Sequence, residues 1–161
     1  MMARIAQPNQ LLTPPAAPPR IPGPVVLGTL SVRIERSAEQ MALESALEVG
    51  VKLIIANMLT MPMYPLTVTL ARGYTTLPHE EDLDAVRGTA QRALELGIRT
   101  ELQRISTPRP VRGLIELARD CGAGLLVFGP ERSLIKPRRW RTAVRIVRRD
   151  APCLVWVAPD G

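Results

Sequence analysis

Apolar and polar residues follow two different patterns along this chain. Short runs such as VVLG (residues 25–28), VKLIIANML (residues 51–59) and GLLVFG (residues 124–129) are almost continuously apolar. Such runs are typical of parallel strands that are covered on both faces. The segments between them repeat apolar residues every three or four positions, which is the period of an amphipathic helix. The pattern therefore predicts a chain in which strands and helices alternate.

Four segments have the helical period. The first ends where Gly50 can cap a helix, and the second ends at Gly97. Thr107 is a candidate cap for the third, and Pro137 suits the first turn of the fourth. The residues predicted to face inward are Ala38, Met41, Ala42, Ala46 and Val49; Val86, Ala90, Ala93 and Leu94; Val111, Leu114, Ile115 and Ala118; and Trp140, Ala143, Val144 and Val147.

Two further strands complete the alternation. IRTELQRIS (residues 98–106) alternates apolar and polar residues and predicts a half-buried strand 3, and APCLVWVA (residues 151–158) predicts strand 5. This order is typical of an α/β fold with helices on both faces of a parallel sheet. We predict a five-stranded parallel sheet of order 3-2-1-4-5 over residues 24–159. Ligands of such sheets bind beyond the carboxyl ends of the strands, here in the crevice between strands 1 and 4.

The remaining segments suggest little chemistry of their own, apart from PPAAPPR (residues 14–20), which is a candidate PxxP ligand. We expect a flexible arm over residues 1–23, because seven of the 16 prolines lie within residues 1–24 and proline has no amide hydrogen. LTVTLA (residues 66–71) is a candidate for a short extra strand. No apolar run approaches the roughly 20 residues of a membrane span, so we expect a cytoplasmic protein without membrane contact.

Few residues are suited to catalysis or metal binding. His79, the only histidine, lies in a loop-like segment, and no Cys/His cluster typical of zinc sites is present. Cys121 and Cys153 are expected to be buried thiols rather than a disulfide. We therefore assign no catalytic or metal-binding residue and expect no efficient enzyme.

The net charge of +6 is concentrated in one stretch. Residues 132–149 hold eight basic side chains and no acidic one. Arg145, Arg148 and Arg149 fall late in helix 4, where cations suit the helix dipole, and they need no function. Aromatic side chains for stacking on bases are scarce, so contact with nucleic acid could only be electrostatic and independent of sequence.

The basic residues around the beginning of helix 4 need a different explanation. Cations in a first helical turn oppose the helix dipole by about 0.3–1 kcal/mol each. Either solvent and Glu131 compensate these charges, or an anion does, such as a phosphate, a nucleotide or an acidic partner. Arginine favours phosphate because it can bind in a bidentate manner. The residues concerned are Arg132, Lys136, Arg138, Arg139 and Arg141.

The order of these motifs resembles the universal stress protein family. ALELGIRTELQRIST and LIELARDCGAGLLVFGP are similar to a helix–strand–helix–strand block of that family, and TAVRIVRRDAPCLVWVAP is similar to its closing helix and strand. The resemblance covers residues 24–158. It implies a Rossmann-like homodimer that acts in stress response. One branch of the family binds ATP through Gly-x-x-Gly, nine residues, then Gly and Ser or Thr, with an aspartate at the end of strand 1.

Carried onto this chain, the ATP-binding pattern is incomplete. Gly129 matches the first glycine, but the second falls on Arg132. The closing pair falls near Arg141 and Thr142, and Thr29 lies where the aspartate is expected. The resulting candidate residues for binding a nucleotide or another anion are Thr29, Gly129, Arg132, Arg138, Arg139, Arg141 and Thr142.

Strand 5 is a candidate dimer interface. CLVWVA carries no charged residue or proline that would protect an edge strand. The family resemblance implies pairing with the same strand of a second copy. The predicted interface residues are Cys153, Val155, Trp156 and Val157.

Three hypotheses follow from these patterns. The first is a homodimeric binding or regulatory module without efficient ATP binding. The second is a stress protein that binds ATP or another adenine nucleotide, with slow or no hydrolysis. The third is a scaffold that contacts acidic partners or nucleic acid through its basic helix.

Overall fold

A computed structural model describes residues 23–61 and 80–159. Residues 1–22 of the predicted arm, the candidate strand at 66–71 and His79 lie outside the described residues. The described part contains five strands, four helices and one 3₁₀ turn. In chain order these are β1 Val25–Thr29, α1 Arg36–Val49, β2 Leu53–Thr60, α2 Glu80–Glu95, β3 Thr100–Thr107, α3 Pro110–Asp120, β4 Leu125–Phe128, the 3₁₀ turn Arg132–Leu134, α4 Pro137–Asp150 and β5 Leu154–Val157.

The strands form a single parallel sheet of order β3-β2-β1-β4-β5, which confirms the predicted α/β fold. β1 lies at the centre, and all five of its residues are buried. Its register places Val25 beside both Leu53 and Leu125. Because all strands run the same way, their carboxyl ends and the loops that follow them meet at one edge of the sheet.

Each face of the sheet has its own apolar core. Alternate residues of β1 point to opposite faces, so Val25 and Leu27 belong to one core and Val26 belongs to the other. The first core contains residues of α1 and α2, and the second contains residues of α3 and α4. The helices that begin beyond the carboxyl ends of β3 and β4 therefore share one face of the sheet.

The inward face of α2 differs from the prediction at one position. Leu94 is 54% exposed, whereas Asp82 and Thr89 are buried with Val86 and Ala93. The two polar residues are tolerated inside because each has a partner on another element. The Asp82 carboxylate lies 3.5 Å from the Arg33 guanidinium, and the Thr89 hydroxyl donates to Glu39 at 3.2 Å.

Other predicted helix features are confirmed, with one exception. Gly50 adopts a left-handed conformation with φ of 72° and caps α1. α4 begins at Pro137. The predicted cap of α3 is wrong: the N-cap is Arg109, with no side-chain cap, and Thr107 ends β3 and accepts a hydrogen bond from the Arg109 amide at 3.2 Å. Among the described residues, no helix is long and apolar enough to cross a membrane.

Candidate functional site

The predicted crevice between the carboxyl ends of β1 and β4 is closed by backbone pairing. Residues 33–35, which precede α1, lie against residues 129–131, which follow β4. Ile34 and Pro130 form an isolated antiparallel bridge. The pairing is made by hydrogen bonds from Glu35 N to Gly129 O at 2.8 Å and from Glu131 N to Arg33 O at 3.0 Å, and the bond from Gly129 N to Gly28 O at 2.9 Å continues the β1–β4 ladder up to it.

Two of the predicted ligand-binding residues serve this closure. A Cβ atom on Gly129 would lie 2.2 Å from the Cβ of Ala38, so the absence of a side chain lets α1 approach. The buried Thr29 hydroxyl donates to the Val32 carbonyl at 2.6 Å and holds the loop after β1. Both residues therefore pack the protein and present no free group to a ligand.

Apolar side chains fill the space beneath the paired loops. Leu30, directly after β1, and Ile135, after the 3₁₀ turn, are both buried. They belong to the same core as Phe128 and Trp140, whose rings stack with centroids 5.6 Å apart. The segments that follow β1 and β4 therefore contribute apolar side chains to the core on the α3 and α4 face of the sheet.

The Glu131 carboxylate has partners other than the basic residues of α4. It lies 3.4 Å from the Arg33 guanidinium and accepts a hydrogen bond from the Ser133 hydroxyl at 2.7 Å. Arg33 also pairs with Asp82 and so connects the loop after β1 with α2. Glu131 thus closes the crevice instead of compensating the charges at the beginning of α4.

A second depression lies between the first turn of α3 and the first three turns of α4. It has a volume of about 920 Å³ and is open to solvent. We call it the arginine cavity, because six arginines line it and no carboxylate does. Its lining consists of Thr60, Pro108, Arg109, Pro110, Val111, Arg112, Arg138, Arg139, Arg141, Thr142, Ala143, Arg145 and Ile146.

The positive charges of the arginine cavity form no ion pair with the described part of the chain, although the Asp150 carboxylate lies near enough to Arg112 to attract its charge. Among residues 23–61 and 80–159, no carboxylate lies within 4.0 Å of these six guanidinium groups. The first turns of α3 and α4 contain no acidic residue. Arg139 donates to the Thr60 hydroxyl at 3.0 Å, which ties α4 to the end of β2. The cavity consequently has a positive potential that favours an anion.

The structure separates the predicted binding residues into three groups. Arg138, Arg139, Arg141 and Thr142 come together in the arginine cavity. Thr29 and Gly129 are buried beneath the paired loops. Arg132 is exposed on the 3₁₀ turn and does not line the arginine cavity.

Sequence reasoning missed three lining arginines. Arg109 and Arg112 lie at the beginning of α3, in the stretch PRPVR. The sequence could have indicated them, because both follow a predicted parallel strand and residues in such positions meet at one edge of the sheet. Arg145 was assigned to the helix end that needs no function, yet it lines the cavity together with Arg138 and Arg141, which share its helix face.

The cysteines show no sign of activation. Cys121 and Cys153 are free and half-buried, whereas the sequence predicted buried thiols. Burial raises the pKa of both thiols, which disfavours the reactive thiolate at neutral pH. The described residues contain no group of three His, Cys, Asp or Glu side chains that could hold a metal ion.

β5 forms one edge of the sheet, as the dimer hypothesis requires. Of the predicted interface residues, Val157 is buried, whereas Cys153, Val155 and Trp156 are half-buried. Leu154 is 63% exposed on the same strand. An additional strand could cover this edge, and pairing with a second copy stays a prediction.

Comparisons with solved structures show which known proteins share this fold. No family model matches the sequence, and no curated protein matches it significantly. A universal stress protein in complex with cAMP is similar over 86% of this chain and 98% of its own, with 22% identity and a TM-score of 0.59. A universal stress protein from Archaeoglobus fulgidus in complex with dAMP covers 85% of this chain and 98% of its own, with 18% identity and a TM-score of 0.54.

A third solved structure agrees with these two. The family member from Arabidopsis thaliana with AMP bound covers 87% of this chain and 93% of its own, with 14% identity and a TM-score of 0.57. Identities this low support a statement about fold alone. The chain has the fold of the universal stress proteins, as the sequence resemblance predicts.

Proposed function

We propose that this chain is a homodimeric binding and regulatory module in stress response that holds an anionic ligand in the arginine cavity. The proposal rests on a contrast between two places in the structure. The crevice where the family resemblance places ATP is closed, whereas a neighbouring cavity lined by six arginines is open. The module would not hold ATP efficiently in the closed crevice.

The backbone explains why the crevice is a poor phosphate site. Glycine-rich loops bind phosphates through free amide groups that approach closely. Here the amide hydrogens of Gly129 and Glu131 are donated to the carbonyls of Gly28 and Arg33. Arg132 replaces the second glycine of the family pattern. These two amides could bind a phosphate only after their hydrogen bonds had broken.

An adenine nucleotide remains a candidate ligand for the arginine cavity. The three similar structures were solved with cAMP, dAMP or AMP, and this supports testing the same ligands here. In this chain arginine side chains would supply the attraction, because bidentate contacts with phosphate are strong. The order of affinities should therefore follow ligand charge.

The cytoplasmic localisation stays a prediction of the sequence.

Calorimetric titration with cAMP, AMP and ATP tests the proposal. We expect affinity to rise with the number of phosphate charges. Arg138→Gln should weaken ATP binding by about tenfold, since a charge-assisted hydrogen bond contributes about 1.5 kcal/mol. Arg99→Gln is the matched control. Arg99 is exposed before β3, at the opposite end of that strand from α3, and should leave affinity unchanged.

Other results would favour a different function. Micromolar ATP binding with slow hydrolysis would support the ATP-binding stress protein of the second hypothesis. An affinity that is the same for all three nucleotides and insensitive to Arg138→Gln would contradict recognition by charge in the arginine cavity.

The homodimer is tested by charging the exposed edge of the sheet. Leu154→Glu should convert the dimer to monomer or aggregate, because two carboxylates would meet where β5 pairs with its copy. Leu154 suits this test better than Val155, which packs against the core. Leu102→Glu provides a matched control, since Leu102 is 40% exposed on the opposite edge strand, β3. Light scattering measures the mass, and an unchanged dimer for Leu154→Glu would contradict pairing through β5.

A further inference from the structure

The arginine cavity has an apolar part as well as a charged one. Pro110 and Val111 in the first turn of α3 line it and are half-buried. Ala143 and Ile146 of α4 are buried or half-buried and line it as well. The arginines around them are exposed. The cavity thus combines an apolar floor with a positively charged rim.

The rim is built from two helices that are distant in sequence. Arg109 and Arg112 come from the beginning of α3, whereas Arg138, Arg141 and Arg145 come from one face of α4. Arginines on separate elements can contact more than one anionic group of the same ligand. A ligand that bound only at the beginning of α4 would need neither Arg109 nor Arg112.

The size of the cavity exceeds the needs of a simple inorganic anion. Its volume of about 920 Å³ lies within the range of about 300–1,000 Å³ that is usual for small-molecule sites. A single phosphate would contact the rim and leave the floor in water. A ligand with an apolar or aromatic part would remove the floor from water and gain affinity by doing so.

We infer that the arginine cavity binds an organic anion that carries two or more negative charges next to an apolar or aromatic part. The inference rests on the proposed function, since it names the ligand class of the same cavity. The anionic groups lie on the rim, with Arg109 and Arg112 as further binding residues, and the apolar part lies on the floor. Recognition requires no adenine.

Two pairs of ligands, similar in charge within each pair, test this inference. The first is 1-naphthyl phosphate against inorganic phosphate, and the second is ATP against tripolyphosphate. We expect the organic member of each pair to bind at least tenfold more tightly in calorimetric titrations. Val111→Ser should weaken the organic members about fivefold and leave the inorganic members unchanged. Arg112→Gln should weaken all four, whereas the control Arg119→Gln, exposed in the last turn of α3 outside the cavity, should weaken none.

The outcomes separate this inference from the proposed function. Equal affinities within each pair would overturn the apolar contribution and leave the anion site in place. If Arg138→Gln weakens binding and Arg112→Gln does not, the role of the α3 arginines is overturned and the anion site on α4 is retained. An absence of saturable binding for all four ligands would overturn both proposals. Thermal unfolding of each variant verifies that the fold is retained.

Discussion

Gly129→Ala is expected to lower the free energy of unfolding by about 2–3 kcal/mol, a typical cost of overpacking a tightly packed site. The new Cβ would lie 2.2 Å from the Cβ of Ala38. Neither atom belongs to a flexible side chain, so the loop after β4 and the first turn of α1 would have to separate. The Glu35–Gly129 hydrogen bond that closes the crevice would be strained as well. Denaturant unfolding measures the loss.

A double-mutant cycle isolates this contact. Ala38→Gly removes the opposing methyl group and should itself cost about 1 kcal/mol as a glycine within a helix. Combined with Gly129→Ala, it should recover about 1–2 kcal/mol relative to additivity, because the two changes share one contact. Additive costs would show that the methyl–methyl clash is not the cause.

A second glycine provides the control for Gly129. Gly88 lies within α2, and a Cβ there would meet only the end of the Arg92 side chain, at 3.3 Å. Gly88→Ala should therefore raise the free energy of unfolding by about 0.5–1 kcal/mol through helix propensity. Opposite signs at the two positions would show that Gly129 is required for packing and not for backbone freedom in general.

Trp140→Ala is expected to cost about 3–4 kcal/mol of stability, within the range for removing a large aromatic side chain from a core. Trp140 is 7% exposed and stacks on Phe128. Its packing fixes the beginning of α4, and with it the adjacent arginines, against the sheet. In a chain of this size the loss corresponds to a decrease in Tm of about 10 °C.

Two further variants define the cause of that loss. Trp140→Phe keeps an aromatic ring against Phe128 and should cost less than about 1.5 kcal/mol. Leu134→Ala removes a large apolar side chain that is 43% exposed and should change stability by less than about 0.5 kcal/mol. A cost for Trp140→Ala as small as that of Leu134→Ala would contradict the proposed anchoring of α4.

The α/β fold was predictable because its signals are local. β2, with its continuous apolar run, and α4, with apolar residues every three or four positions, show their burial directly in the sequence. The prediction was wrong at Leu94, where two inward faces were compatible with the same helical period. The inward face buries Asp82 and Thr89 as well as Val86 and Ala93, and the partners of the two polar residues lie on other elements.

The candidate site was predictable only in part. The charge at the beginning of α4 was visible in the sequence, and the resemblance indicated Gly129 and Thr142. Glu131 does not neutralise that charge, because its carboxylate pairs with Arg33, which lies almost 100 residues earlier in the chain. Pairwise contacts of this kind leave no periodic signal.

The sequence by itself determined the alternation of strands and helices, the parallel sheet and the location of the positive charge, since each depends on residues that are close in the chain. Only the tertiary structure decided that the crevice beyond β1 and β4 is closed and that Arg109 and Arg112 join the arginines of α4. Both outcomes depend on how separate loops and helices meet at the carboxyl edge of the sheet. That meeting is set by long-range packing, such as the contact of Gly129 with Ala38.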